Sequence, residues 1–460
     1  MFYGRVAELD KLNEMHRSGC FEFAVIYGRR RVGKTTLIQE FIKEKRALFF
    51  SANESTAADN LLSLSRCIGG KNNAPVYRDY ESALSALFEM AASERLIFVI
   101  DEFPYLAESY HGISSLIQIL IDHNKDSKLM LILCGSSMSF MENQVLGYQS
   151  PLYGRRTAQF KILPFSFFES LPFFEVFTPV DKAILYGATG GVPEYLGKIN
   201  PGKDVRSNLT DLFLTPMGHF FEEPSNLLKQ ELREPSTYNV IIESIASGAS
   251  RLNEIATKSG LEGNKCAKYL STLISLGLIS KEYPYGVSTG KRSIYRLEDN
   301  MFRFWYRFVF TNISAITVGM GAAVFENEVE PQLNAYMGLI FEDICKQWFF
   351  EQGKAGALPF FVGSLGRWWG TNKETRSQEE IDIMAVRRDN AIFAECKWQN
   401  AGVDIQVFHN LRRKIDMFGY SDVYLYIFAK NGFVGNLVSE AGGARRLRLV
   451  RLEEMVGERD

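Results

Sequence analysis

A chain of 460 residues is too long for one hydrophobic core, because single cores stop growing near ~250–300 residues and domains cluster around ~100–150, so about three domains are expected. With 46% hydrophobic and 23% charged residues, the composition is that of an ordinary globular protein and excludes a disordered or fibrous chain. A formal net charge of -2 excludes a global attraction to polyanions, so any contact with nucleic acid has to come from local patches.

Cys20, Cys67, Cys134, Cys266, Cys345 and Cys396 are scattered without CxxC pairs and read as reduced core thiols. Five histidines without metal-pair spacing argue against zinc. The opening "MFYGRVAELD" lacks a basic region followed by an apolar run, which argues against a signal peptide. The runs "LIFVI" and "LMLILC" fall far short of the roughly 20 residues that span a bilayer. A cytoplasmic protein without membrane contact is the expectation.

Residues 23–42, "FAVIYGRRRVGKTTLIQEFI", read as an apolar strand, a loop and a helix with apolar residues at helical spacing. The loop runs Gly28, Arg29, Arg30, Arg31, Val32, Gly33, Lys34, Thr35, followed by Thr36, which fits G-x-x-x-x-G-K-[ST]. The glycines let backbone N–H groups approach phosphates. Lys34 is placed to meet the β- and γ-phosphates of ATP, and the Thr35 hydroxyl to ligate Mg²⁺. The following helix turns its positive end to the same anion. Arg29, Arg30 and Arg31 either add field at the phosphates or are solvated at the loop tip; the pattern does not choose.

"RLIFVIDEF" is a second strand, in which five apolar residues run into Asp101 and Glu102. A continuous apolar run suits a central parallel strand, and ligands sit at the carboxyl ends of such strands. Asp101 is the candidate for the Mg²⁺ shell, and Glu102 for orienting or deprotonating the attacking water. "KLMLILCGSS" is a third strand, ending in Ser136 and Ser137, small polar groups placed where they could sense the γ-phosphate.

Together "FYGRVAEL", "GRRRVGKT", "FVIDEF", "LCGSS", "LYGRRT" and "GGVPEYL", falling in order from residue 1 to about 225, resemble the archaeal-type ATPases of the AAA+/STAND group. The resemblance implies that Gly4 and Arg5 lie on the adenine side, that Ser136 is a sensor, that Arg155 or Arg156 is an arginine finger, and that "GGVPEYL" sits in a helical lid. It also admits a homo-oligomer. From spacing alone, both arginines read equally well as surface charges.

Residues 236–299 change rhythm. "STYNVIIESIASG", "RLNEIATKSG" and "NKCAKYLSTLISLGLI" read as three helices, and "ISKEYP" and "RSIYRLED" as two strands around a Gly-containing turn. This is the order of a winged helix, with Lys265 and Lys268 facing out from the reading helix and Lys291 and Arg292 on the wing toward DNA. In related ATPases such a module also serves as a lid or subunit contact.

The aromatic-rich "MFRFWYRFVFTN" reads as core at helical spacing. "YMGLIFEDICKQWF" reads as a helix containing Glu342, and "FVGSLGRWWG", "EEIDIMAV" and "AIFAECKW" as strands, the last two joined by the turn "RRDN". In the last strand, Glu395 and Lys397 share a face. Glu342, Asp382, Glu395 and Lys397 are the elements of the PD-(D/E)XK nuclease pattern, in which carboxylates hold a metal at the scissile phosphate and the lysine positions water or stabilises charge. Asp382 and Glu395 are the metal candidates. A structural ion pair is the alternative. Residues from about 300 to 460 also resemble a C-terminal domain of uncharacterised function often fused to this ATPase class, whose core looks nuclease-like. "NLRRKID" and "ARRLRLVR" add basic charge that suits a phosphate backbone or a solvated face.

The expected architecture is α/β: a P-loop NTPase parallel sheet with a helical lid over 1–225, a winged helix over 226–300, and a restriction-endonuclease-like α/β domain over 301–460. The expected activity is Mg²⁺-dependent ATP hydrolysis coupled to action on DNA. The rival is a nucleotide-switched assembly protein whose C-terminal domain only binds a partner or DNA.

Overall fold

The computed structural model describes residues 2–70, 76–290, 292–372, 376–444 and 446–457. Two compact units emerge, Met1–Pro164 with Val192–Glu194, and Phe165–Gly191 with Tyr195–Asp460.

In the first unit, helix α1 (Val6–Arg17) precedes strand β1 (Glu22–Tyr27), helix α2 (Lys34–Ile42) and strand β2 (Ala47–Ser51). Strands β3 (Leu96–Asp101), β4 (Leu129–Gly135) and β5 (Ala158–Lys161) complete a parallel sheet of order β2-β3-β4-β1-β5. Every residue of β3 and β4 is buried, because helices cover both faces and neither side of the strand needs polar residues. Alternate side chains feed two cores. Ala24, Ile26, Ile97, Val99 and Ile132 meet Leu12 of α1 and Leu37 and Phe41 of α2, and Val25, Phe98, Ile100 and Leu133 pack on the other face. Since β4 lies between β1 and β3, the loops leaving β1 and β3 flank its carboxyl end.

The second unit begins with helices, among them α3 (Pro179–Thr189). Helices α4 (Pro235–Ala246), α5 (Leu252–Ser259) and α6 (Gly263–Ser275) are followed by the antiparallel hairpin β6 (Ile279–Glu282) and β7 (Ile294–Leu297), in the order expected from the sequence. Gly260, in the left-handed region at φ 69°, terminates α5 as a C-cap. Phe302, Phe304 and Phe308 of the aromatic segment are fully buried, as core.

Helix α7 (Leu333–Lys354) then leads to a sheet of order β12-β11-β10-β9-β8. Its strands are β8 (Gly366–Thr371), β9 (Gln378–Arg387), β10 (Asn390–Lys397), β11 (Asp422–Ala429) and β12 (Leu447–Arg451), with helix α8 (Ile405–Ile415) between β10 and β11. The sheet is mixed, antiparallel from β8 to β10 and parallel from β10 to β12. On one face Phe408 and Leu411 of α8 pack with Phe393 and Ile427. On the other, Phe341 of α7 meets Trp398 and Trp348 meets Phe428. "FVGSLGRWWG" becomes a strand only from Gly366, where pairing with Met384 of β9 begins. Among the described residues no helix is long and apolar enough to cross a membrane.

Candidate nucleotide site and C-terminal acidic site

The loop after β1 is shaped by close approach. A Cβ on Gly28 would lie 2.3 Å from the Ile162 carbonyl oxygen, and Gly33 sits at φ 88°, where a side chain is strained. Val32 is buried, which anchors the loop, and Thr35 and Thr36 are exposed in the first turn of α2 after the buried Lys34. Lys34 donates to the carbonyl oxygens of Gly28 at 2.8 Å and Arg29 at 2.9 Å, so its ammonium lies inside the loop. The Thr35 hydroxyl donates to Asp101 Oδ2 at 2.9 Å and joins the loop to the end of β3. Glu102 follows at φ 50°, uncommon for a residue with a side chain. Its carboxylate accepts from the buried Ser136 hydroxyl at 2.9 Å, which points it toward the end of β4.

The loop arginines part ways. Arg29 is buried, Arg30 donates to the Tyr105 hydroxyl at 2.9 Å, and Arg31 stands 3.8 Å from the Glu194 carboxylate. Arg5 donates to the carbonyls of Val32 and Leu163, clasping the loop from behind. Arg155 makes a two-pronged ion pair with Asp122, at 3.0 and 2.7 Å, whereas Arg156 lies over the Tyr153 ring at 6.0 Å. Cys134, which the sequence marked only as core, lies fully buried beside Asp101; burial first, then that carboxylate, push its thiol well up.

In the C-terminal sheet, the Glu395–Lys397 ion pair exists at 2.7 Å, but it is not alone. Lys414 of α8 holds the other oxygen of Glu395 at 2.5 Å and the Glu380 carbonyl at 2.7 Å. Asp382 accepts from the Cys396 N–H at 2.8 Å and lies 3.9 Å from the Lys397 ammonium. Burial would raise the Glu395 carboxyl, yet Lys397 and Lys414 outweigh it and hold it below its usual range. Burial, then the Glu395 charge, push Asp382 up to about 6. Burial, then Asp382, push Glu342 up to about 8, and its Oε2 is buried without a hydrogen-bond partner.

Spacing missed Lys414, which is three turns along a separate helix, and Arg367, whose charge acts on Glu342 while its side chain bonds Glu380. The amphipathic "NLRRKID" was the available signal for Lys414.

At both places the donors are oxygens, which suits Mg²⁺. An orphaned, buried carboxylate oxygen on Glu342 is the observation that favours a cation in the C-terminal site. Among the described residues no three His, Cys, Asp or Glu side chains are gathered to hold an ion by themselves. Mg²⁺ commonly takes one or two carboxylates and completes its shell with water and phosphate oxygens.

In the helix and hairpin segment Lys265, Lys268 and Arg292 are exposed, and Lys291 lies outside the described residues. The hairpin is fastened to the C-terminal sheet, with Tyr285 N–H donating to the Arg367 carbonyl at 2.8 Å and Val386 N–H to the Tyr285 hydroxyl at 2.9 Å.

Residues 2–199 match a family described as an ATPase domain predominantly from Archaea, and residues 305–410 a family of archaeal and bacterial proteins of unknown function. An uncharacterized protein of Methanocaldococcus jannaschii is 34% identical over 439 residues, 93% of this chain and 94% of its own length. A Walker-type ATPase of Pyrococcus abyssi superposes with a TM-score of 0.50 at 17% identity, over 66% of this chain and 96% of its own, a likeness of fold. The ORC1 protein of Aeropyrum pernix, solved in complex with DNA, superposes with a TM-score of 0.37 at 15% identity, over 72% and 95%. The chain therefore belongs to the same family as the Methanocaldococcus jannaschii protein, and is built as a P-loop ATPase domain of the predominantly archaeal kind followed by a C-terminal domain whose function is unknown.

Proposed function

We propose that this protein hydrolyses ATP with Mg²⁺, and that the nucleotide state sets the working arrangement of a winged helix and a metal-dependent, nuclease-like C-terminal domain on DNA. The observation that carries the first half is the Thr35–Asp101 bond of 2.9 Å, which brings a loop hydroxyl and a strand-end carboxylate together as a hard cation needs them. Lys34 swings from the loop carbonyls to the β- and γ-phosphates, and Glu102, steadied by Ser136, orients the attacking water and takes its proton. Mg²⁺ beside Thr35 and Asp101 would neutralise charge on the phosphate oxygens. Release of the γ-phosphate breaks this set of contacts, which is the physical content of a switch. For the C-terminal half the support is the unpartnered Glu342 oxygen beside Asp382 and the Glu395–Lys397 pair. There Lys397 positions water or stabilises charge on the scissile phosphate.

A second reading has its own observation. Lys397 and Lys414 occupy both oxygens of Glu395, which neutralises the carboxylate and favours a domain that binds DNA or a partner without cutting it. The experiment for the ATPase is phosphate release by wild type, Lys34→Ala and Glu102→Gln. Lys34→Ala is expected to lose nucleotide affinity and turnover; Glu102→Gln is expected to bind ATP and to turn over ~10²–10⁴-fold more slowly, the usual range for a lost general base. Wild-type turnover in Lys34→Ala removes the assignment.

A further inference from the structure

One edge of the C-terminal sheet carries aromatic rings and guanidinium groups that the acidic site does not use. A half-open groove of about 400 Å³ lies between α8 and the strands β11 and β12, floored by Val423 and Leu425 and rimmed by Arg412 and Arg446. Arg412 covers the Phe408 ring at 5.7 Å. Arg446 belongs to this groove and to the next ring as well, lying 5.2 Å from the Tyr424 centroid while Asp422 anchors it at 2.7 Å. Tyr424 is 6.2 Å from Phe360, and the next residue, Phe361, is 70% exposed with Arg387 lying 5.1 Å over its ring.

Cation–π pairs occur about once per 70–80 residues, whereas here Arg387, Arg412, Arg446 and Arg448 all cover rings within residues 387–448. Among these rings Phe361 stands in solvent, 70% exposed beneath Arg387. The balance of charge is positive: residues 387–448 carry ten Lys and Arg against six Asp and Glu, in a chain whose overall charge is -2. A local positive track is what a polyanion meets. Duplexes hide the faces of their bases, so rings and guanidinium planes spaced singly suit an unpaired strand, whose bases stack on them while its phosphates meet the arginines.

We propose that the Arg412–Arg446–Tyr424–Phe361–Arg387 edge binds single-stranded DNA; the choice of DNA rests on the reading under Proposed function, the stacking track does not. The test is fluorescence anisotropy of the full chain with labelled oligothymidylate about twenty nucleotides long, in EDTA. Phe361→Ala is expected to weaken binding about tenfold, and Phe361→Tyr, which keeps the ring, to bind as wild type. Arg387→Ala with Arg446→Ala is expected to flatten the slope of log affinity against log salt by about 1.4, from about 0.7 per phosphate contact on single strands. Unchanged affinity and slope overturn the proposal, as does equal loss in Phe361→Ala and Phe361→Tyr, or tighter binding of oligouridylate or of a duplex of equal length. Cleavage is read separately with Mn²⁺, so wild type that binds without cutting counts against the nuclease reading and leaves this one standing.

Discussion

Glu342 and Asp343, adjacent on α7, titrate in opposite directions. Burial would raise both. Glu342 then meets the Asp382 charge and rises to about 8. Asp343 turns the other way, to Arg296 at 2.7 Å and Lys346 at 3.2 Å, with Arg303 at 3.9 Å, and these cations hold it well below the usual carboxylate range. One helix therefore turns a carboxyl raised by burial and by Asp382 to the C-terminal site, and an ion-paired one to the hairpin strand β7.

The pH dependence of stability follows. Folded Glu342 keeps a proton that the unfolded chain gives up, since its carboxyl is raised from 4.5 to about 8, and Asp382 does the same from 3.8 to about 6. The native state binds more protons in that window, so their contribution is full below it and is lost as pH rises toward 8. Glu342→Gln has no proton to lose. It is expected to melt about 3–6 °C above wild type beyond pH 8 and together with it near pH 4, a comparison that thermal unfolding at the two pH values makes directly.

Cleavage has its own requirement, because a carboxylate must be deprotonated to take a metal. If the C-terminal site cuts DNA, plasmid nicking with Mn²⁺ should rise between pH 6 and 8, the range over which Asp382 and Glu342 ionise. It should fall at least ~10²-fold in Lys397→Ala. Identical plasmid bands from wild type and Lys397→Ala would leave the binding-only reading in place.

Arg155 and Arg156 are separable. Arg155 is committed to Asp122 near the surface, so Arg155→Ala should cost about 1 kcal/mol of stability or less and leave turnover intact. Arg156 lies over the Tyr153 ring. As a finger acting on a neighbouring copy, it should make ATP turnover rise with protein concentration, and Arg156→Ala should abolish that rise. Turnover per chain that is flat with concentration in wild type would end this role.

For the helix α6, Lys265→Glu with Lys268→Glu is expected to weaken duplex DNA binding and reduce the salt slope by about 2, from about 0.9 per phosphate contact. Both side chains are exposed, so the fold should tolerate the change. An unchanged slope would assign α6 to contacts within the chain, in keeping with a hairpin already fastened through Tyr285 to the C-terminal sheet.

Local pattern alone carried the phosphate loop, the apolar strands ending at Asp101 and Ser136, the three helices with their hairpin, and the strand pair bearing Asp382 and Glu395. Each is written in one short stretch, where backbone period and glycine placement dictate geometry. Tertiary structure decided which charges meet. Lys414 reaches Glu395 across 19 positions, Arg296 reaches Asp343 across 47, and Arg5 reaches Leu163 across 158. Period and spacing extend only as far as one helix or strand; beyond that, the packing of faces sets distance, and distance with burial sets whether a carboxyl is held low by paired cations, as in Asp343, or pushed up by burial and a neighbouring acid, as in Glu342.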